Sequence, residues 1–228
     1  MSTSTRPPPD LGTAARWRNL ALYVFAVFGW ELVVGFALDG AIRGVVGERW
    51  APAVHWLVTA AGWLVGALLL LRHAPWRADD PVATPAGPGR ARRAAYAAAA
   101  LVLAVGSRAA LTHEWKPVAE ATRLHDDVGS AFAPSLAALV VYYLAEVLVI
   151  VTLLGYGQRW GEAARGRPDV PWGGFVLAAT WGLVHVLLQG PAGGAYAMEA
   201  AVLYGVLHRA VRGRLGPTYA LVAAAFVL

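Results

Sequence analysis

Runs of roughly 20 predominantly apolar residues recur along the whole of this sequence. A hydrocarbon core about 30 Å thick is crossed by that many helical residues at about 1.5 Å each, so such runs predict a chain that crosses a bilayer repeatedly. Composition agrees. Of 228 residues, 58% are hydrophobic and only 14% charged, against about 25% charged in an average globular domain. An all-α, polytopic transmembrane bundle of about seven helices is expected, over 19–38, 51–71, 94–111, 133–156, 171–189, 192–207 and 215–228. The last is short for a span, and is read either as a short helix eased by local thinning of the bilayer or as the remnant of a longer one.

Lys and Arg concentrate on the cytoplasmic side of membrane proteins, and here they segregate. Fourteen fall before the first helix or in alternate loops: Arg6, Arg16, Arg18, Arg72, Arg77, Arg90, Arg92, Arg93, Arg159, Arg165, Arg167, Arg209, Arg212 and Arg214. Five fall on the other face: Arg43, Arg49, Arg108, Lys116 and Arg123. That split implies a multi-pass protein of the cell membrane with its N-terminus in the cytoplasm and its C-terminus outside. It also divides the chain. A flexible cytoplasmic N-terminus (1–18) precedes two helices (19–73), a Pro- and Arg-rich cytoplasmic linker (74–93) and five further helices (94–228). The polar start MSTSTRPPPD, with no small-residue cleavage site after the first apolar run, reads as a signal anchor.

A net charge of +5 would suit nucleic acid, but arginines in short loops beside apolar spans are explained by anionic headgroups, so the expected partner is the lipid bilayer and no nucleic acid. The absence of cysteine excludes disulfides, Fe–S clusters and thiolate zinc sites. Richness in Ala, Gly and Arg suggests a high-GC bacterial source. Gly62-x-x-x-Gly66 either lets the second helix approach a neighbour closely or reflects the abundance of small residues.

An ionisable group at mid-bilayer costs about 2.5–3.5 kcal/mol on insertion scales, so each one calls for a reason. Glu31, Glu146, His185 and Glu199 fall one each on the first, fourth, fifth and sixth expected helices, at depths that would let all four converge on one cavity. Helical spacing sets Tyr142 and Tyr143 beside Glu146, Trp181 beside His185 and Tyr196 beside Glu199, while Trp30 adjoins Glu31, so such a cavity would be aromatic. Structural alternatives stand for each. Glu146 is either chemistry or a carboxyl bonded to a neighbouring tyrosine or helix; His185 is either chemistry or a histidine bonded to a backbone carbonyl. Glu31 suits a structural contact or a polar path as well as chemistry, and Glu199 suits the rim of a watery crevice. Asp39, His55, His73, His113 and His208 read as residues snorkelling to the interfaces.

The second half, roughly 134–228, resembles the CPBP or Abi family of intramembrane proteases, relatives of the CAAX prenyl proteases. The family's Glu-Glu-x-x-x-Arg motif falls on Ala145-Glu146-Val147-Leu148-Val149-Ile150, and its Phe-x-x-x-His motif on Trp181-Gly182-Leu183-Val184-His185. Its third motif, His-x-x-x-Asn or Asp, falls on Val222-Ala223-Ala224-Ala225-Phe226, which carries neither polar residue. The resemblance implies Glu146 as general base and His185 as proton carrier or ligand to a divalent metal such as zinc. Glu199 would be a substitute third group, and the substrate a hydrophobic peptide or a prenylated molecule. A catalytic zinc normally has three protein ligands, so only part of that site is present.

A second resemblance is to the small integral-membrane meroterpenoid cyclases, carried by Trp30-Glu31-Leu32-Val33 on an early helix and the acidic Glu199 on a late one. It implies a membrane-embedded terpene cyclase that uses no metal, protonates an epoxide or alkene from a buried carboxylic acid, and steadies the resulting cation on aromatic faces. That family typically has Asp on the late helix and an additional helix before the Trp-Glu pair. A small transporter is the third class, though no inverted repeat or broken-helix signal supports it.

Overall fold

The computed structural model describes residues 11–75, 89–112 and 115–228, and all of its regular structure is helical. Ten α-helices follow one another: α1 (Leu11–Phe28), α2 (Trp30–Val33), α3 (Asp39–Val46), α4 (Ala51–His73), α5 (Arg90–Thr112), α6 (Lys116–Val128), α7 (Phe132–Arg165), α8 (Trp172–Leu177), α9 (Leu183–Ala210) and α10 (Leu215–Val227). Two wider π-helical turns, Val34–Leu38 and Ala178–Gly182, join α2 to α3 and α8 to α9 without interrupting the rod. Among the described residues five helical stretches are long and apolar enough to cross a membrane: Leu11–Val46, Ala51–His73, Arg90–Leu111, Lys116–Arg165 and Trp172–Ala210. Leu215–Val227 is a shorter apolar helix. The chain is thus a polytopic, all-α membrane bundle.

Helix α7 is its axis. Every residue from 149 to 159 is buried, as expected of a helix that is apolar all round and enclosed by others. It packs against α1, α4, α8 and α10. It runs past the expected end at 156 because its polar continuation is satisfied in place. Gln158 Nε2 donates to Glu162 Oε1 (2.8 Å) and to the Val170 carbonyl (3.0 Å), and the Gly173 amide donates to Gln158 Oε1 (3.1 Å). Gly166, in the left-handed conformation, ends the helix by returning its N–H to the Glu162 carbonyl. Beyond it the Arg167 guanidinium, 2.8 Å from Asp169, holds that exposed carboxyl below its ordinary value.

The stretch from Trp172 to Ala210 is two antiparallel helices. Gly190 has φ 75° and ψ 179°, a backbone conformation that only glycine adopts readily, and Pro191 follows. The chain turns back on itself there. Gly182 lies against Met198, Gly194 against Val186 and Gly174 against Gly205, so the two arms touch through small residues along their length.

Three expectations are corrected. The first helix begins at Leu11, not 19: Trp17, in the segment read as flexible, is buried and stacks on Tyr156 at 5.7 Å. Residues 116–128, read as a loop, form α6, whose Leu124 and Val128 are buried while Arg123, Asp126 and Asp127 are exposed. Of the residues read as snorkelling, His55 Nδ1 and Asp39 Oδ1 pair at 2.7 Å, and His208 is buried against Thr218 Oγ1 at 3.1 Å. His113 and most of the 74–93 linker lie outside the described residues.

Candidate functional site

A cavity of about 500 Å³ opens among α2, α4, α5, α6, α7, α9 and α10, within the roughly 300–1,000 Å³ usual for small-molecule sites. Seven aromatic residues line it, Trp56, Tyr142, Tyr143, Trp181, Tyr196, Tyr204 and Phe226, together with Glu31, Glu146 and His185. Three of the four ionisable residues expected to converge do line one space.

Each polar group is held in a definite way. Glu31 sits in the single turn of α2, just after the chain bends at Gly29. Its Oε1 accepts the phenolic O–H of Tyr142 at 2.5 Å. Tyr142 is fixed in turn by Trp63, whose ring centre is 4.8 Å away. Glu146 lies one helical turn further along α7 and is 6% exposed. Its Oε1 accepts the indole N–H of Trp181 at 2.9 Å. The carbonyl of the same Trp181 bonds His185 Nδ1 at 2.8 Å, and the two rings lie 4.2 Å apart. Trp181 belongs to the π-turn; such turns widen a helix by one residue, and they are frequent at functional sites.

Trp30 is a correction. Its indole N–H donates to the Val58 carbonyl at 3.1 Å and its ring covers Gly62, so it fastens the chain after the Gly29 bend to α4 and does not line the cavity. Gly62 is small for that reason, and Gly66 similarly receives Val27. Glu199 is corrected too: it is exposed on the outer face of α9 and is absent from the cavity wall, one turn away from Tyr196, which lines it.

Sequence reasoning did not assign Arg108, Lys116, Glu120 and Arg123 to this site. All four line the cavity and also a neighbouring hollow of about 750 Å³ beside α6. Glu120 is paired with Arg123 at 2.5 Å. Arg108 stands over the Tyr196 ring, and Lys116 over the rings of Tyr143 and Phe226 at 4.3 and 4.1 Å. For Lys116, Glu120 and Arg123 the signal was the amphipathic pattern of α6, hidden between two strongly apolar runs; Arg108 lies near the end of α5.

The zinc expected from the protease resemblance does not fit this wall. Among the described residues no three His, Asp or Glu side chains come together to hold a metal ion. The Nδ1 of His185 is already engaged by the Trp181 carbonyl, and Glu146 by the Trp181 indole. The arrangement instead offers carboxyl groups beside phenol, indole and imidazole, enclosed by aromatic faces. Such a set can pass a proton to an apolar guest and shelter positive charge on it. No family model matches this chain, and neither a curated protein nor a solved structure resembles it to a significant degree.

Proposed function

We propose that the protein is a membrane-embedded, proton-initiated cyclase or isomerase of isoprenoid-like molecules. The observation that carries this reading is the union of Glu31, Tyr142 and Glu146 with an aromatic cavity wall. A carboxyl of the pair gives its proton to an alkene carbon or an epoxide oxygen. The cation formed is held against Tyr143, Trp181, Tyr196 and Phe226 while carbon–carbon bonds close. Loss of a proton from the cyclised cation back to the carboxylate restores the acid, so the product is an isomer of the substrate and no further reactant is consumed. Glu31 is the preferred donor because Tyr142 orients it, with Glu146 as the second carboxyl and the hydroxyl of Tyr142 linking substrate and acid.

In the membrane we assign seven crossings. The antiparallel arms on either side of Gly190 count as two and Leu215–Val227 as the last. The N-terminus is then cytoplasmic on the charge argument, and the cavity's basic wall faces the outer leaflet.

A CPBP-like hydrolase acting on a hydrophobic peptide is the second reading. What favours it is that Glu146, Trp181, His185 and Phe226, drawn from the three motif positions, line one cavity. The readings separate on three variants, Glu31→Gln, Glu146→Gln and His185→Ala, assayed by chromatography and mass spectrometry of prenylated phenols, terminal epoxides and hydrophobic peptides incubated with the purified protein. Under the cyclase reading Glu31→Gln lowers isomer formation by about 10²–10⁴-fold, the worth of a general acid, while His185→Ala retains most of it. Loss of peptide cleavage in Glu146→Gln and His185→Ala, with Glu31→Gln active, would establish the hydrolase and overturn the cyclase.

A further inference from the structure

The cavity's cationic wall carries more than the proposed chemistry uses. Lys116 is the first residue of α6 and is only 6% exposed. Its ammonium has three N–H donors. One goes to the Phe226 carbonyl at 2.7 Å, and the ammonium lies over the rings of Tyr143 and Phe226. Among the described residues no carboxylate lies within ion-pair distance of it. Glu146 and Glu120 act on it from beyond that distance, and a buried ammonium with no described carboxylate in contact keeps N–H donors that something else can complete.

Among the described residues the carboxylates around it make their close contacts elsewhere. Glu120 holds Arg123, Glu31 accepts from Tyr142 and Glu146 from Trp181. Asp126 and Asp127 line only the neighbouring hollow, on the exposed side of α6. Arg108 adds a second positive charge to the same wall. The cavity therefore joins aromatic faces and the acids Glu31 and Glu146 to a margin, shared with the hollow beside α6, where Arg108, Lys116 and Arg123 outnumber the single acid Glu120.

We infer that the substrate is an amphiphile: an isoprenoid-like chain lies in the aromatic chamber, and an anionic head, carboxylate or phosphate, completes Lys116 with the help of Arg108. This rests on the isoprenoid reading and adds the head group. It also gives the chain a polarity, head toward the hollow and tail toward Glu31.

The test compares ligands that share a tail and differ in head. Farnesyl phosphate, farnesol and inorganic phosphate are titrated into protein in phosphatidylcholine nanodiscs, at matched bilayer concentrations, with quenching of tryptophan emission as the readout. A charge-assisted bond is worth about 1.5–3 kcal/mol, so wild type is expected to prefer farnesyl phosphate to farnesol by about 10–100-fold. Lys116→Gln is expected to lose that preference, Lys116→Arg to keep it, and inorganic phosphate alone to bind far more weakly than the lipid. Equal binding of the two lipids in wild type overturns the head-group inference and leaves the isoprenoid reading intact. A preference that survives in Lys116→Gln overturns it as well, as does inorganic phosphate binding as tightly as farnesyl phosphate. Failure of both lipids to bind overturns the isoprenoid reading itself. If Lys116→Gln does not fold, the wild-type comparison still decides.

Discussion

The phenol of Tyr142, on α7, donates to the carboxylate of Glu31, on α2, across 2.5 Å, and this bond joins residues 111 positions apart in sequence. It ties the short helix after the Gly29 bend to the central helix of the bundle. Removing the hydroxyl leaves a half-buried carboxylate oxygen without its partner. Tyr142→Phe is expected to lower stability by about 1–3 kcal/mol, read by unfolding in mixed micelles, and to slow any proton transfer that starts at Glu31. Stability equal to wild type would mean that the bond contributes nothing.

Where Trp30 covers Gly62, an added Cβ would overlap the indole ring. Gly62→Ala is expected to destabilise the bundle by about 1–3 kcal/mol, the usual cost of forcing extra volume into a packed contact. Affinity of the folded fraction for a cavity ligand should stay unchanged, because Trp30 does not line the cavity. A selective loss of ligand binding without loss of stability would return Trp30 to the site.

Gly190 has φ 75° and ψ 179°, which a side chain does not readily accept. Gly190→Ala should cost about 1–3 kcal/mol through backbone strain alone, since no atom stands near its missing Cβ. Limited proteolysis at the turn, faster in the variant than in wild type, is the expected sign.

Glu199 is exposed and outside the cavity wall. Glu199→Gln is expected to leave ligand affinity and isomer formation within about twofold of wild type, and the neutral side chain should ease insertion, given the cost of a charge at membrane depth. A loss like that of Glu31→Gln would show that Glu199 reaches the substrate.

Much of this was legible before the fold was known. Apolar run length announces the helices directly, since bilayer thickness sets their minimum size. The intramembrane cost of Glu31, Glu146 and His185 marked them as partners, and all three line the cavity. Helix rotation was not legible. Depth along an axis follows from residue number, but facing depends on how a helix turns relative to its neighbours. The π-turn at Ala178–Gly182 resets that rotation just before His185, and Glu199, past the Gly190 turn, came out on the wrong side. The basic wall was missed for another reason. Arg108, Lys116 and Arg123 flank apolar runs, where a charge reports the side of the membrane it lies on and residue number says nothing of the space it faces.

Trp181 donates its indole N–H to Glu146 and accepts at its carbonyl from His185 Nδ1. The carboxylate and the imidazole therefore share one mechanical support without bonding each other in this structure. A double-mutant cycle between Glu146 and His185 will accordingly report thermodynamic coupling that passes through the tryptophan, and changing Trp181 to Phe should abolish most of that coupling by removing the indole arm alone. Effects assigned separately to the acid and to the base will not add, and the residue responsible for the shortfall carries no titratable group.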